Sequence, residues 1–369
     1  MKILHVIETC GGGSGRYVLD LVRGLTDRNY SNTVVWSPLR AETHFIEELS
    51  GIPGIITHAL PINRAIGRKD WVSFRALGRY ITQTGPYDIL HGHSSKAGAL
   101  VRLLSKAIPG GRVYTPHAFR SMDPSLSYFM RGLYRKMELA LHFQHPSWIC
   151  VGSAQEADEA HTIGIDQRFT KTVRFGRRPP TPSSKTETRK HFGVPQDTFI
   201  VGFVGRLTHQ KAPERLLNAF SMADIAKSAL VFVGNGELLA TLRAKASTLG
   251  ISEKVIFLGE VDGQRAMPAF DILVVPSRYE SLGYVILEAQ AAGLPIISTP
   301  VGIATETIRQ GKNGFVVANT DDPAELSSSI NTIYNNYRSF KSSTGSKSRF
   351  SLVAMLDDME SIYREPLQL

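Results

Sequence analysis

The sequence alternates between short β-branched runs and segments whose apolar residues have helical spacing. In the first half, GRYVLDLVRGL and SKAGALVRLLSKAI predict helices, and the predicted strands are KILHVIE, NTVVWS, YDILHGHS, RVYTPHAF and WICVGSA. Strands that alternate with helices form parallel sheets with right-handed crossovers. The alternation therefore restricts the chain to the doubly wound α/β class.

A polar segment interrupts this pattern. RRPPTPSSKTETRK is rich in proline, serine and threonine and predicts a linker. Six more predicted strands follow it: FIVGFVGRL, ALVFVGNG, KVIFLGEV, FDILVVPS, PIISTPVG and NGFVVANT. We predict a first domain over 1–178, a linker over 179–190, a second domain over 191–345, and a segment over 346–369 whose helix packs toward the first domain. Two facing Rossmann-like domains create a central cleft, and ligands of such folds bind at the carboxyl ends of strands.

Composition excludes several classes of protein. The 369 residues are 42% apolar and 20% charged, which is typical of globular domains. The start MKILHVIETCGGG has too short an apolar run for a signal peptide, and no run of about 18 apolar residues crosses a membrane. Two cysteines provide no disulfide framework, so a cytoplasmic location is expected.

The positive charge is concentrated in the first half. Residues 1–180 contain 23 Lys and Arg against 14 Asp and Glu, whereas residues 181–369 contain 19 of each kind. A solvated basic surface, an anionic membrane surface and a nucleic acid all remain open as explanations.

Two glycine-rich or basic loops follow predicted strands. CGGGSGRYV opens a helix, where glycines let a ligand approach and the helix N-terminus favours an anion, although a tight turn explains it equally. In GRLTHQK, Arg206 and Lys211 precede a helix and oppose its dipole, at about 0.3–1 kcal/mol each. A bound anion would remove this penalty; the simpler alternative is two surface cations.

Two carboxylates stand close together in PSRYESLGYVILEAQAAG. Glu280 lies in a loop, and Glu288 lies in the helix that follows. Glu288 is either an exposed helix residue or the acceptor of two hydrogen bonds from a ribose diol, while the free amides of the helix face a phosphate.

Three histidines follow strands of the first half. His91 and His93 could share a metal ion, but no third ligand has a suitable spacing, so a structural hydrogen bond is preferred for His91. His117, in YTPHAF, could bind a sugar hydroxyl.

The motifs GGGSGRYVLDL, HGHSSKAG, YTPHAF, FVGRLTHQK, FVGNGE, VIFLGEV and DILVVPSRYESLGYVILEAQAAGLPIISTPVG occur in this order. Together they resemble the retaining nucleotide-sugar glycosyltransferases of family 4, which have the GT-B fold. The resemblance covers nearly the whole chain and is strongest over 199–325. Two departures, RFGRRPPTP at the expected hinge and SLGY in place of Gly-Phe-Gly, bear on hinge geometry and donor choice.

The resemblance implies a site for a nucleoside-diphosphate sugar. The residues that it assigns to the donor are Gly12 and Gly13 near the phosphates and sugar, Arg206 and Lys211 at the diphosphate, Glu280 at the sugar hydroxyls, Glu288 at the ribose, and the amides of Leu282 and Gly283 at the phosphate or sugar. Glu280, Arg206 and Lys211 form the implied catalytic set together with His117, which would lie by the reacting sugar. No Asp-x-Asp motif is present, and neither a metal ion nor another cofactor is expected.

The implied reaction moves a sugar from a UDP- or GDP-sugar to a saccharide acceptor with retained configuration. Two basic, aromatic stretches suit an anionic membrane interface. The first carries the membrane or acceptor candidates Arg64, Arg68, Lys69, Trp71 and Arg75, and the second is SYFMRGLYRKMELALHF. We hypothesise a lipid-linked acceptor in O-antigen or exopolysaccharide synthesis, with the protein peripheral on the inner face of the cell membrane. Two amphipathic helices that bury their aromatics are the alternative, and this alternative is favoured for the second stretch.

Three other functions remain open. A sugar-nucleotide epimerase shares the GT-B fold and would need no acceptor. A phosphorylase would need a pyridoxal-binding lysine, which we do not find. A basic nucleic-acid-binding protein would explain the charge but not Glu280 and Glu288.

Overall fold

The computed structural model describes residues 1–63, 67–104, 107–173, 175–176, 183–280, 282–343 and 351–365. The chain forms two compact units. The first consists of Met1–Arg178 and Arg349–Leu369, and the second consists of Pro179–Ser348. Each unit contains one parallel sheet, so the predicted fold class is confirmed. Among the described residues, no helix has the length and apolar content needed to cross a membrane.

The first unit contains a seven-stranded sheet of order β3-β2-β1-β4-β5-β6-β7. Its strands are β1 (Lys2–Ile7), β2 (Ser31–Trp36), β3 (Ile56–Ala59), β4 (Ile89–His93), β5 (Gly111–Thr115), β6 (Trp148–Val151) and β7 (Thr170–Thr172). Its helices up to the second unit are α1 (Gly12–Asp27), α2 (Thr43–Ser50), α3 (Arg68–Thr84), α4 (Ser95–Leu103), α5 (Tyr128–Gln144) and α6 (Ala154–Ile163). The strand order reverses between β1 and β4, and this reversal marks the position where such sheets bind ligands.

The second unit contains a six-stranded sheet of order β10-β9-β8-β11-β12-β13. Its strands are β8 (Phe199–Val204), β9 (Ser228–Val233), β10 (Val255–Gly259), β11 (Ile272–Val275), β12 (Ile296–Ser298) and β13 (Gly314–Val316). Its helices are α7 (Lys185–His191), α8 (Pro213–Met222), α9 (Leu239–Thr248), α10 (Gly263–Ala266), α11 (Tyr284–Ala291), α12 (Ala304–Thr307), α13 (Ala324–Asn335) and α14 (Tyr337–Ser342). Here the strand order reverses between β8 and β11.

The helix α7 occupies part of the predicted linker, so the assignment of residues 185–190 to a linker is wrong. A capping box starts the helix, because the Ser184 hydroxyl accepts from the Glu187 amide and the Glu187 carboxylate accepts from the Ser184 amide. Arg189 then anchors α7 to the second unit through a 2.8 Å ion pair with Asp271. A buried guanidinium with a carboxylate partner belongs to a packed domain and not to a solvated connection.

The last helix, α15 (Leu352–Arg364), packs against α1 in the first unit. Arg28, the residue after the end of α1, binds Asp357 at 2.8 Å, and a Cβ atom on Gly24 of α1 would meet the Leu356 side chain at 2.5 Å. The Tyr363 hydroxyl contacts the ring of His91 on β4 at 2.7 Å. The first unit is therefore completed by a helix that follows the second unit in sequence.

Each sheet is buried between two layers of helices, as parallel sheets require. Right-handed crossovers place α3, α4, α5 and α6 on one face of the first sheet, and α1 and α2 on the other. The packing agrees, because α4 contacts α5, α5 contacts α6, and α1 contacts both α2 and α15. A 2.8 Å ion pair between Lys96 and Asp70 links α4 to α3.

Candidate active site

The strongest polar contact at a strand-order reversal lies in the second unit. Lys211 follows β8, and Glu280 follows β11, the neighbouring strand on the other side of the reversal. The Lys211 ammonium donates to Oε1 of Glu280 at 2.5 Å, and the Ser277 hydroxyl donates to the same oxygen at 2.7 Å. The structure therefore brings together two of the four residues in the predicted catalytic set.

The Glu280 carboxylate is held on one side only. It is 8% exposed, and within the described ranges both of its hydrogen bonds use Oε1. Oε2 accepts no hydrogen bond from these residues. A carboxylate oriented in this way can accept a hydrogen bond from a ligand hydroxyl, while the adjacent ammonium can approach an anion.

The loop between Glu280 and α11 is shaped by close backbone approach. Gly283 precedes the helix in the left-handed conformation, at φ 78°. The buried Leu282 accepts a hydrogen bond from the Ile303 amide at 2.9 Å, and a Cβ atom on Gly302 would meet the Leu282 carbonyl oxygen at 2.1 Å. The Ile286 amide donates to the Gly283 carbonyl at 2.8 Å, and the dipole of α11 favours an anion at this end of the helix.

Glu288 lies in the second turn of α11 and is 9% exposed. The alternative that it is an exposed helix residue is therefore wrong. Burial of a carboxylate on a short helix is costly unless hydrogen bonds satisfy it, so its position demands a polar environment. The predicted ribose contact requires such a buried, polar carboxylate.

Arg206 differs from Lys211. It lies directly after β8 with an exposed side chain, and no ion pair involves it in the part of the chain that the structure describes. A solvated guanidinium of this kind is free to reorient toward a diphosphate.

His117 is the predicted catalytic residue of the first unit. It follows β5, and neither of its ring nitrogens, both shielded from solvent, has a hydrogen-bond partner among the described residues. Burial lowers the pKa of His117 to about 3, so the ring is neutral at physiological pH. Its ring packs edge-on against Tyr17 at 5.0 Å between centroids and stacks on His93 at 5.7 Å. A neutral imidazole with unsatisfied nitrogens can exchange hydrogen bonds with an uncharged hydroxyl.

A buried carboxylate holds the turn that carries His117. His117 and Ala118 are consecutive non-glycine residues with positive φ, at 54° and 86°, and such conformations cost about 1–3 kcal/mol each. Glu156 at the start of α6 accepts from the Ala118 amide at 2.6 Å and from the Gly152 amide at 2.9 Å. Burial raises the pKa of Glu156, while these two hydrogen bonds oppose that rise. Sequence analysis missed Glu156, although it follows the predicted strand WICVGSA by only a few residues.

His91 and His93 have a third histidine beside them, which sequence analysis did not find. One ring nitrogen each of His5, His91 and His93 lie within 4.8 Å of one another, a grouping that could hold a metal ion. Hydrogen bonds already occupy both ring nitrogens of His5, to Asn32 and His93, and both of His91, to Tyr363 and Thr115. Burial lowers the pKa values of all three, so the cluster is a neutral core, in which Nδ1 of His93 has no hydrogen-bond partner among the described residues.

The remaining predicted residues lie on the surface of the first unit. Gly12 and Gly13 form the exposed first turn of α1, immediately after the β1 end of the sheet. The membrane or acceptor candidates on α3 are exposed, namely Arg68, Lys69, Trp71 and Arg75. Arg64 lies outside the described residues. The prediction that α5 buries its aromatic residues is wrong for Phe129 and Phe143, which are 77% and 73% exposed.

Comparison with known proteins identifies the family. Residues 11–173 match the model described as Glycosyltransferase Family 4, and residues 184–348 match the model described as Glycosyl transferases group 1. An uncharacterised 41.2 kDa protein in the cps region of Klebsiella pneumoniae is 29% identical over 332 residues, which cover 86% of each chain. The putative glycosyltransferase EpsD of Bacillus subtilis is 28% identical over 83% of this chain and 84% of that protein.

A solved structure agrees on the fold. The crystal structure of HepE from Anabaena in complex with UDP and glucose matches with a TM-score of 0.84 at 22% identity, over 98% of each chain. The chain belongs to the group 1, family 4 glycosyltransferases and has their GT-B fold. It is therefore a glycosyltransferase of EC class 2.4, which decides against the epimerase and nucleic-acid alternatives.

Proposed function

We propose that the protein transfers a sugar from a nucleoside-diphosphate sugar to a saccharide acceptor, with retention of anomeric configuration. The observation that carries this proposal is the contact between Lys211 and Glu280 at the strand-order reversal of the second unit. A diphosphate and a sugar need a cation and a hydroxyl acceptor side by side, and this pair offers both at one place.

Each donor residue then has a defined task. Lys211 and Arg206 neutralise the diphosphate, whose charge grows as the bond from its oxygen to the anomeric carbon breaks. Glu280 accepts from the sugar hydroxyls through Oε2, and Glu288 accepts from the ribose diol. The amides of Leu282 and Gly283 bind the phosphate or the sugar, Gly12 and Gly13 allow close approach, and His117 binds the reacting sugar. The acceptor oxygen attacks the face that the diphosphate leaves, so no protein nucleophile or general base is assigned.

We propose a UDP-sugar as the donor, because HepE is described in complex with UDP and glucose. In this proposal the transfer needs no metal ion, since Lys211, Arg206 and the dipole of the helix supply the positive charge. For the acceptor we propose a lipid-linked saccharide of cell-surface polysaccharide synthesis. Support comes from the similarity to a protein in the cps region of Klebsiella pneumoniae and to EpsD, together with the exposed basic residues Arg68, Lys69 and Arg75 beside Trp71. The protein would then work peripherally at the cytoplasmic face of the membrane.

A thermal-shift panel of UDP, GDP and their sugars tests the donor site. At 100 times its dissociation constant, a ligand adds about 2.7 kcal/mol to the free energy of unfolding. We expect the melting temperature to rise with UDP and UDP-sugars, and the rise to be lost in Lys211→Ala. Lys254→Ala, which removes an exposed lysine of the same unit, is the matched control and should keep the rise. No shift with any nucleotide would contradict the proposal.

A further inference from the structure

The four residues before Glu280, over 276–279, have every backbone carbonyl held by a side chain from another segment of the second unit. The donors to the four carbonyls, in chain order, are Arg215, Thr299, Asn319 and Gln210, at 3.2, 2.6, 2.8 and 3.2 Å. A loop whose carbonyls bind side chains instead of water has little freedom to move. Three other segments therefore fix the course of the chain that leads to Glu280.

Two of these donors belong to a cluster around one carboxylate, which we call the Asp321 clamp: Arg215, Arg278, Asn319 and Asp321. Oδ1 of Asp321 accepts from Nε of Arg215 at 2.7 Å and from Nη1 of Arg278 at 2.6 Å. Arg215 also donates to the side-chain oxygen of Asn319 at 2.7 Å. The hydrogen bond from Arg215, followed by that from Arg278, holds the pKa of Asp321 below its usual value. An ionised carboxylate thus joins α8, the loop of Glu280 and the segment after β13.

The clamp connects the two partners of the contact at the strand-order reversal. Arg278 lies two residues before Glu280, and Arg215 lies four residues after Lys211, in the first turn of α8. Because the Asp321 side chain is 69% exposed, its ion pairs should add little to the free energy of unfolding. The clamp therefore constrains the distance between two functional segments more than it stabilises the fold.

A direct contact between Arg278 and a diphosphate is the alternative use of this guanidinium. Its terminal nitrogens are already occupied, since Nη1 binds Asp321 and Nη2 binds Glu214 at 3.1 Å. Arg206, by contrast, is exposed. The contacts of Arg278 therefore favour a role within the protein over a role on the ligand.

We propose that Asp321 and Arg278 are positioning residues of the donor site, which hold Glu280 where its Oε2 meets a hydroxyl of the donor sugar. This inference rests on the proposed function and deepens it. A fixed acceptor discriminates between sugars, because a hydroxyl of the wrong stereochemistry leaves a buried polar group unpaired. The clamp should consequently govern recognition of the sugar and leave recognition of the nucleotide unaffected.

Titration calorimetry with UDP, UDP-glucose and UDP-galactose separates the two kinds of recognition. In Asp321→Ala, we expect the dissociation constant of the tighter-binding UDP-hexose to rise about tenfold, and that of UDP to change less than about twofold. The difference in affinity between the two hexoses should shrink as well. Asp321→Glu keeps the carboxylate, so its loss of hexose affinity should stay below about threefold.

Asp322→Ala is the matched control. It removes the neighbouring exposed carboxylate together with a hydrogen bond to the Ala324 amide, so it reports any general loss of stability. Both affinities should remain unchanged in this variant. Arg278→Gln gives a second test that leaves the pair of Arg215 and Asp321 intact, and it should reproduce the selective loss of hexose affinity even if Asp321→Ala folds poorly.

A double-variant cycle shows whether the clamp acts through Glu280. In a Glu280→Gln background, Asp321→Ala should change the hexose affinity by less than about twofold. Additive losses, equal weakening of UDP and UDP-hexose, or unchanged hexose affinity in both Asp321→Ala and Arg278→Gln would each overturn the inference. If the unaltered protein bound none of the three ligands, the donor site itself would be wrong, whereas retained UDP binding confines a failure to the clamp.

Discussion

The two units present opposite kinds of polar centre at their strand ends. In the second unit, a charged pair of Lys211 and Glu280 lies beside an exposed Arg206 and the amides of a helix. In the first unit, His117 is neutral, packed among aromatic rings, and has unsatisfied nitrogens within the described residues. The first arrangement suits an anion and the second suits uncharged hydroxyls. The comparison teaches that the strand ends of two similar sheets can carry opposite chemistries, one suited to an anion and the other to uncharged hydroxyls.

The largest expected difference between the units is their response to acid. Burial lowers the pKa of His5 to about 4 and that of His117 to about 3, against 6.5 in the unfolded chain. Below pH 6.5 the unfolded state binds more protons, so the free energy of unfolding falls as the pH drops toward these folded values. The loss should be on the order of several kcal/mol between pH 6.5 and 4.

Hydrogen exchange measured from pH 7 to 4.5 should therefore show early loss of protection in β1 and β4, with later loss in β8 and β11. The rates are corrected for the intrinsic pH dependence of exchange. His5→Asn supplies a control, because it removes one titrating ring and should reduce the acid sensitivity of the first unit. Simultaneous loss of protection in both sheets would show that the two units do not differ in their sensitivity to acid.

Removal of the charged centre should have the largest effect on turnover. Lys211→Ala deletes the cation that we propose for the leaving diphosphate, and we expect kcat to fall about 10²–10³-fold. The measurement is nucleotide release with a saturating donor, and Lys254→Ala should behave like the unaltered enzyme. A fall of less than about threefold would show that the diphosphate lies elsewhere, because even one surface charge is worth that much.

The contribution of His117 to turnover should depend on the geometry of its turn more than on charge. Glu156→Gln replaces one of two acceptors by a donor, so the strained turn at His117 should relax and kcat should fall about tenfold. If Glu156 acts by positioning His117, the same change in a His117→Ala background should cause little further loss of kcat.

Glu159→Gln is the matched control for Glu156, since it alters another carboxylate of α6. It should lower stability through the lost pairing with Arg135 while leaving kcat unchanged. Additive losses in the double variant of His117 and Glu156 would show that Glu156 is structural only.

A smaller effect is expected at the ribose. Glu288→Gln keeps the shape of the side chain but weakens its hydrogen bonds, so the dissociation constant of UDP should rise about fivefold, which corresponds to about 1 kcal/mol. Titration calorimetry measures it, with Glu253→Gln, an exposed carboxylate of the same unit, as the control. Equal affinity in both variants would remove Glu288 from the donor site.

The smallest expected effect is that of chelation. Because side chains and amides supply the positive charge, EDTA should leave the rate of sugar transfer unchanged within about twofold. The rate is compared before and after dialysis against EDTA, with added Mg²⁺ or Mn²⁺ as the counter-test. A rate that falls with chelator and returns with metal would contradict a metal-free reaction.

Of the thirteen strands in the described residues, eleven could be predicted from sequence, and the two that were missed share a cause. The strands β3 and β7 lie at the edges of the first sheet, where β3 is largely exposed and β7 has three residues. Short edge strands have no long apolar run that would reveal them. The helix α7 had a readable signal, since Ser184 and Glu187 have the spacing of a capping box.

The residues of the candidate sites also fall into two groups, those that stand in a local motif and those that meet only in the folded sheet. Glu280 and Lys211 stand in compact motifs, so sequence could indicate each of them, although not their contact. Glu156 acts on a turn 38 residues away, and His5 approaches His93 from 88 residues away. No local pattern reports such pairings, because only the sheet brings these side chains together. Which side of α5 faces outward was likewise undecidable, because that helix has apolar residues on more than one side.

The placement of α15 has a consequence for engineering. Because this helix returns to cover α1 and to bind His91, the second unit is topologically an insertion within the first. A fragment cut after residue 178 would leave Gly24 and the His91 ring uncovered, and it should be expressed with residues 351–365 supplied in trans or fused. To exchange donor specificity between relatives, the second unit should therefore be replaced as one internal segment, while the segments before and after it in the recipient chain are kept.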